Sequence, residues 1–160
     1  MLRISKLTDY GTIVLAYMAR NPDGVHTATD VADATRLAPP TVSKLLKLLT
    51  RGGLVNSYRG PHGGYTLARP ADSITATEII DAIEGPVAIT ECSTDHSQCS
   101  LESVCAVGQN WQGINQAIRT ALERVKLSQI ARPVAVTLPR IDFPGNAPAP
   151  TRRATMGKQD

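Results

Sequence analysis

The sequence predicts a mainly α-helical protein with one small β-hairpin. Three observations carry this prediction. Apolar residues recur at helical spacing through the first third of the chain, two short extended runs after residue 53 are joined by a glycine-rich tip, and a second apolar series with heptad spacing starts at Val104. A length of 160 residues suits one compact head with an added arm and is too short for a large two-domain enzyme.

Taken in order, Leu7, Tyr10, Val14, Tyr17 and Met18 mark an amphipathic helix over residues 3–20, closed by the turn signal Asn21-Pro22-Asp23-Gly24. Thr27 and Asp30 have the spacing of a capping box with Asp in place of Glu, so a short second helix starts there with Val31 and Ala34 on its inner face. After Arg36-Leu37-Ala38, Pro39-Pro40 prepares the backbone for a third helix, because the first amides of a helix have no intrahelical acceptor to lose. That helix spans residues 40–51, buries Val42, Leu45, Leu46 and Leu49, and ends at Gly52-Gly53. Its outward residues are Thr41, Ser43, Lys44, Lys47 and Arg51.

Residues 54–59 and 65–68 read as the two strands of a hairpin with Gly60-Pro61-His62-Gly63-Gly64 at its tip. Thr75 and Glu78 form a second capping box, opening a helix that carries Ile79, Ile80 and Ile83 inward until Gly85-Pro86. A polar, irregular stretch follows. From Val104 the residues Val107, Trp111, Ile114, Ile118, Ala121 and Val125 alternate spacings of three and four, the seam of a helix that pairs with another helix. The proline-rich residues 131–160 cannot bury enough apolar area to offset their ordering, and a disordered tail is expected there.

Three helices and a glycine-tipped hairpin in this order make a winged helix-turn-helix, in which the third helix enters the major groove of DNA and the hairpin reaches the minor groove. The charge distribution agrees. Residues 1–70 carry nine Lys/Arg against four Asp/Glu, residues 71–130 three against eight and residues 131–160 five against two, so a basic head that would meet a polyanion stands next to an acidic middle. Lys44, Lys47 and Arg51 can neutralise phosphates or reach guanine edges, Thr41 and Ser43 are short enough to let their end of the helix sink into the groove, and Arg59 stands where a wing meets a narrow minor groove. A merely solvated basic face would have the same residue types; it would not explain their order along the chain.

The three cysteines, Cys92, Cys99 and Cys105, fall within fourteen positions, and residues 1–6 lack the apolar core of a signal peptide. The longest apolar stretch, residues 13–19, is too short to span a membrane. A cytoplasmic protein with no membrane partner is expected, and in that reducing compartment clustered thiolates point to a metal or redox centre over a disulfide framework. Soft thiolates select iron-sulfur clusters, zinc or copper(I), and the C-x6-C-x5-C spacing lacks the C-x2-C knuckle usual for structural zinc. An iron-sulfur cluster needs a fourth ligand, for which His96, Glu91, Glu102 or a carboxylate from elsewhere are candidates.

Leu7-Thr8-Asp9-Tyr10-Gly11, Arg59-Gly60-Pro61-His62-Gly63-Gly64-Tyr65 and the cysteine trio together resemble the family of iron-sulfur and nitric-oxide responsive winged-helix regulators that includes IscR and NsrR. The likeness covers residues 1–130, and the opening residues look most like the branch that regulates the SUF system of iron-sulfur assembly. The resemblance implies a homodimer on an operator duplex, joined through the long C-terminal helix. It also implies a cluster on Cys92, Cys99 and Cys105, a minor-groove role for Arg59 and a base-selecting role for Ser43. IscR-like members carry a histidine three residues after the last cysteine, where this chain has Gly108; NsrR-like members use an aspartate of the first helix, and Asp9 matches it. Asp9 is therefore the preferred fourth ligand. The first cysteine spacing is one residue longer than in the IscR branch, which leaves 2Fe-2S and 4Fe-4S both open.

The expected organisation is a DNA-binding head at 1–85, a cluster loop at 86–103, a dimerisation helix at 104–130 and a tail at 131–160. The expected function is a repressor of iron-sulfur assembly genes that senses its own cluster. A nitric-oxide or redox-responsive repressor of stress genes and a zinc-stabilised interaction module are the alternatives. No arrangement of nucleophile and base, or of paired carboxylates, supports an enzyme or a small-molecule substrate.

Overall fold

The computed structural model describes residues 4–89 and 107–132. Its elements are α1 (Lys6–Arg20), α2 (Ala28–Thr35), α3 (Pro39–Arg51), β1 (Val55–Tyr58), β2 (Gly64–Leu67), a 3-10 turn (Ala71–Ser73), α4 (Ala76–Glu84), α5 (Gly108–Glu123) and α6 (Leu127–Ile130). This is the mainly helical, winged helix-turn-helix arrangement that the sequence predicts.

Local chemistry sets most of the boundaries. Ser5 caps α1 by accepting from the Thr8 amide at 3.2 Å, so the helix opens at Lys6, later than residue 3. Both capping boxes form. The Asp30 amide donates to Thr27 Oγ1 at 3.1 Å while Asp30 Oδ2 accepts from the Thr27 amide at 2.9 Å, and Thr75 and Glu78 repeat the exchange at 3.2 and 2.8 Å. Each holds a helix start worth about 1 kcal/mol.

The core lies between α1, α3, α4 and the hairpin. The α3 stripe of Val42, Leu45, Leu46 and Leu49 is fully buried, as its period predicts, and meets Val14, Leu15 and Met18 of α1. Leu7, Tyr10 and Tyr17 pack on the edge of that core, while Leu15 takes a central place. Gly11 permits the close crossing of α1 and α4, because a methyl group there would overlap Ile83 Cδ1. Ile79 is buried, and Ile80 and Ile83 are half-buried.

β1 and β2 pair antiparallel, with Val55 opposite Leu67 and Tyr58 opposite Gly64. A third extended segment joins them: His26 and Tyr65 exchange backbone hydrogen bonds at 2.9 and 2.8 Å. His26 is itself held, its Nε2–H donating to the Asn21 carbonyl at 2.8 Å and its ring meeting Tyr17 edge to face at 5.2 Å.

The C-terminal helix departs from expectation. A dimerisation helix at 104–130 is replaced, within the described residues, by α5 ending at Glu123 and a separate turn of helix, α6. The heptad seam runs on through Val125, but the chain there leaves the helix to pair with the residues before α4. The Ala76 amide donates to the Val125 carbonyl and the Leu127 amide to the Ile74 carbonyl, both at 2.9 Å. Leu127 then enters the core of the head fully buried, and Ala131 is buried behind it. Burying a leucine outweighs two more turns of exposed helix. Structure therefore continues past residue 130, where the tail was expected to begin; residues 133–160, the rest of that tail, lie outside the described residues.

Candidate nucleic-acid interface

The outward face of α3 is built by its own period. Thr41, Lys44, Lys47 and Arg51 follow at three, three and four residues, which places them on one stripe opposite the buried leucines, with Ser43 beside it. Lys44, Lys47 and Arg51 are exposed, and Thr41 and Ser43 half-exposed. The ion pairs among the described residues are Arg69–Glu78 and Arg119–Asp81, so none of these three cations is neutralised by a described carboxylate. Their charge is available to a polyanion.

The start of α3 is different from a phosphate-binding helix end. Pro39 and Pro40 have no amide hydrogen, Ala38 provides no side-chain cap, and the Thr41 and Val42 amides both donate to the Ala38 carbonyl at 2.9 and 3.1 Å. Contacts by this helix therefore come from side chains. The preceding turn holds α2 and α3 at their angle with Arg36 in the left-handed region, φ 57°, the non-glycine residue with positive φ among those described. Arg36 is exposed, and no spacing in the sequence singles it out.

Arg59 is exposed and follows directly on β1. The tip closes through the Gly63 amide donating to the Gly60 carbonyl at 2.9 Å, with Gly60 at φ +115°, a conformation that side chains disfavour. The His26 strand that braces this wing was not legible, because an extended run of two residues between a turn and a cap carries no alternation to detect.

Cys92, Cys99 and Cys105, with His96, Glu91 and Glu102, lie outside the described residues. The protein on either side of them is described. The segment departs after Ile89, whose amide donates to the buried Asn115 Oδ1 of α5 at 3.2 Å. The Val87 amide donates to Asp81 Oδ1 at 2.9 Å, and Arg119 Nη2 pairs with Asp81 Oδ2 at 3.0 Å, tying the end of α4 to α5. The segment returns at Val107, directly before α5.

Asp9 stands exposed in the first turn of α1. Its neighbour Thr8 donates its hydroxyl to Glu84 Oε1, the last residue of α4, and the same oxygen accepts from the Ser5 amide at 3.0 Å. The Thr8 hydroxyl, joined by the Ser5 amide, holds the Glu84 carboxyl below its usual range against a smaller desolvation effect. Asp9 thus sits on a helix end fastened to the element from which the cysteine segment departs. Spacing could not reveal this clamp, since its partners are 76 residues apart.

Of the α5 seam, Val107, Trp111 and Ile114 are 54%, 41% and 45% exposed, whereas Ile118 is half-buried. No helix of the described residues is long and apolar enough to cross a membrane.

Residues 4–133 match the family described as "Rrf2: Iron-dependent Transcriptional regulator". Protein aau3 of Rhizobium meliloti (strain 1021) is 34% identical over 122 residues, which are 76% of this chain and 75% of that protein. CymR, the global cysteine regulator of B. subtilis, superposes with a TM-score of 0.62 at 29% identity, covering 82% of this chain and 97% of its own. IscR of T. potens gives 0.59 at 25% identity, covering 81% and 85%. With the helix-turn-helix, the wing and the unpaired cationic stripe already in place, these likenesses identify the chain as a member of the Rrf2 family: a DNA-binding transcription regulator, not an enzyme.

Proposed function

We propose that the protein is a cytoplasmic, homodimeric repressor of iron-sulfur cluster assembly genes whose operator affinity depends on an iron-sulfur cluster held by Cys92, Cys99 and Cys105, with Asp9 as the fourth ligand. One observation carries the reading. The only cysteines of the chain lie between Ile89, which is hydrogen-bonded to α5, and Val107, directly before α5. Three thiolates and a carboxylate fit a cluster as a donor set, and the single hard ligand makes the site exchangeable. Such a cluster supplies a redox-active and nitric-oxide-reactive centre that forms and decays with iron supply.

The chain's own residues would convert that state into DNA affinity. Asn115 and the Asp81–Arg119 pair hold the start of the cysteine segment against α5, and Glu84 holds α1 through Ser5 and Thr8. An open cleft of about 460 Å³, lined by Ile4, Ile80, Val87, Ile118 and Leu122, lies where α4, α5 and the start of the cysteine segment meet. The exposed Val107, Trp111 and Ile114 are the surface on which a second copy would pair, so that two α3 helices read successive half-sites. DNA contacts fall to Thr41, Ser43, Lys44, Lys47, Arg51 and Arg59.

Anaerobic purification followed by absorption spectroscopy and iron and sulfide counts tests the ligand set. Wild type is expected coloured, with matched iron and sulfide, and Asp9→Ala is expected to lose cluster faster in air. A colourless protein with zinc and no iron contradicts the proposal. The match of Asp9 to the nitric-oxide responsive branch favours a second reading, repression of stress genes. Release of DNA at a few equivalents of nitric oxide per cluster, with no response to iron starvation, would select it.

A further inference from the structure

The wing has two faces, and on the outer one the fold covers the β2 side at Gly64 while leaving the β1 side open. Val55 is buried, and Tyr65 and Leu67 pack against the core; Val55 pairs with Leu67 and Ser57 with Tyr65, so these four share the face turned to the core, with Ser57 exposed at its outer end. Asn56, opposite Thr66, and Tyr58, opposite Gly64, occupy the other face. Gly64 across from it is buried against Val25 and His26, yet Tyr58 itself is 52% exposed, more than any other tyrosine among the described residues. It lies next to Arg59 and two residues before the Gly60–Gly63 turn.

We propose that Tyr58 is a second DNA contact of the wing, its ring lying on a deoxyribose and its hydroxyl donating to a phosphate of the groove wall opposite the one nearer α3. A hairpin that enters a minor groove meets two sugar-phosphate walls. Strand alternation sets Tyr58 on the face away from the inward one, so it meets the outer wall while Arg59 reaches into the groove. Tyrosine suits this place because it combines apolar area with a neutral donor and little conformational freedom to lose. A phosphate contact of this kind positions the wing without reading sequence. The inference rests on the reading of the hairpin as a DNA contact. Strand propensity alone would also favour tyrosine here, and valine satisfies that propensity equally well.

The test is fluorescence anisotropy of the full-length protein on a duplex selected from a random pool by the wild type, at several salt concentrations. Tyr58→Phe is expected to weaken binding about tenfold, the low end for a hydrogen bond to a charged acceptor, and Tyr58→Val about thirtyfold, the scale of losing ring and hydroxyl together. Both should retain the wild-type salt slope, since no cation is removed, whereas Arg59→Ala should weaken binding and lower the slope by about one. If both Tyr58 variants bind within experimental error of wild type while Arg59→Ala is weakened, the inference is overturned and the wing reading survives. If Arg59→Ala also binds like wild type, the wing reading fails and takes the inference with it.

Discussion

Lys44, Lys47 and Arg51 were legible from sequence because a 3.6-residue period fixes which side chains oppose a buried stripe, and the buried stripe of α3 is unambiguous. Each should act as a phosphate contact. Lys47→Ala is expected to weaken binding to cognate and unrelated duplexes by similar factors and to reduce the salt slope by about one, whereas Ser43→Ala should change the preference among duplexes at unchanged slope. Filter binding on both kinds of duplex separates the two; a Lys47→Ala protein with the wild-type salt slope would remove this lysine from the interface. Three carboxyls also have their titration moved by the fold. Asp30 is lowered by the Thr27 hydroxyl and amide and Glu84 by the Thr8 hydroxyl and Ser5 amide, while Glu78, which partial burial alone would raise, is lowered by Arg69 and Thr75 acting together. A carboxyl with a depressed folded value adds stability above its unfolded value and loses it as pH falls through the folded one. Melting temperature should therefore fall as pH drops below about 4.5. Glu84→Gln, which keeps an acceptor for Ser5 and Thr8, should show a shallower fall; an unchanged profile would mean the clamp contributes nothing to acid sensitivity.

At the scale of elements, local pairs were readable and distant ones were not. Thr27 with Asp30 and Thr75 with Glu78 announce helix starts because each box is complete within four residues. The end of α5 is decided by Ile74 and Ala76, some fifty residues away, and the heptad seam gives no hint of it. The His26 bridge is illegible for the same reason, its partner being Tyr65. A consequence follows for Leu127, which fills the core of the head although it lies beyond α5. Leu127→Ala should cost about 3 kcal/mol, within the range for truncating a buried leucine, measured by urea unfolding. A cost below about 0.5 kcal/mol, the scale of a surface substitution, would show that α6 is not docked on the head.

For the molecule as a whole, the winged head and its place in the Rrf2 family bound the function to DNA-binding regulation, and the proposed function assigns the sensing of a signal to the cysteines. The apolar side chains left exposed on α5 predict the assembly. Ile114→Glu should convert a dimer to a monomer in sedimentation without lowering the stability of the head, because Ile114 is 45% exposed and belongs to no core cluster; a dimer that persists would place the contact elsewhere. Coupling between cluster and operator is the central claim, and it is tested most directly by comparing the operator affinity of anaerobically purified wild type with that of Cys92→Ala, at equal salt and with iron and sulfide counted in both. The account predicts that the variant lacks a stable cluster and binds the operator at least tenfold differently from the wild type. Equal affinity in a variant shown to have lost its cluster would contradict it.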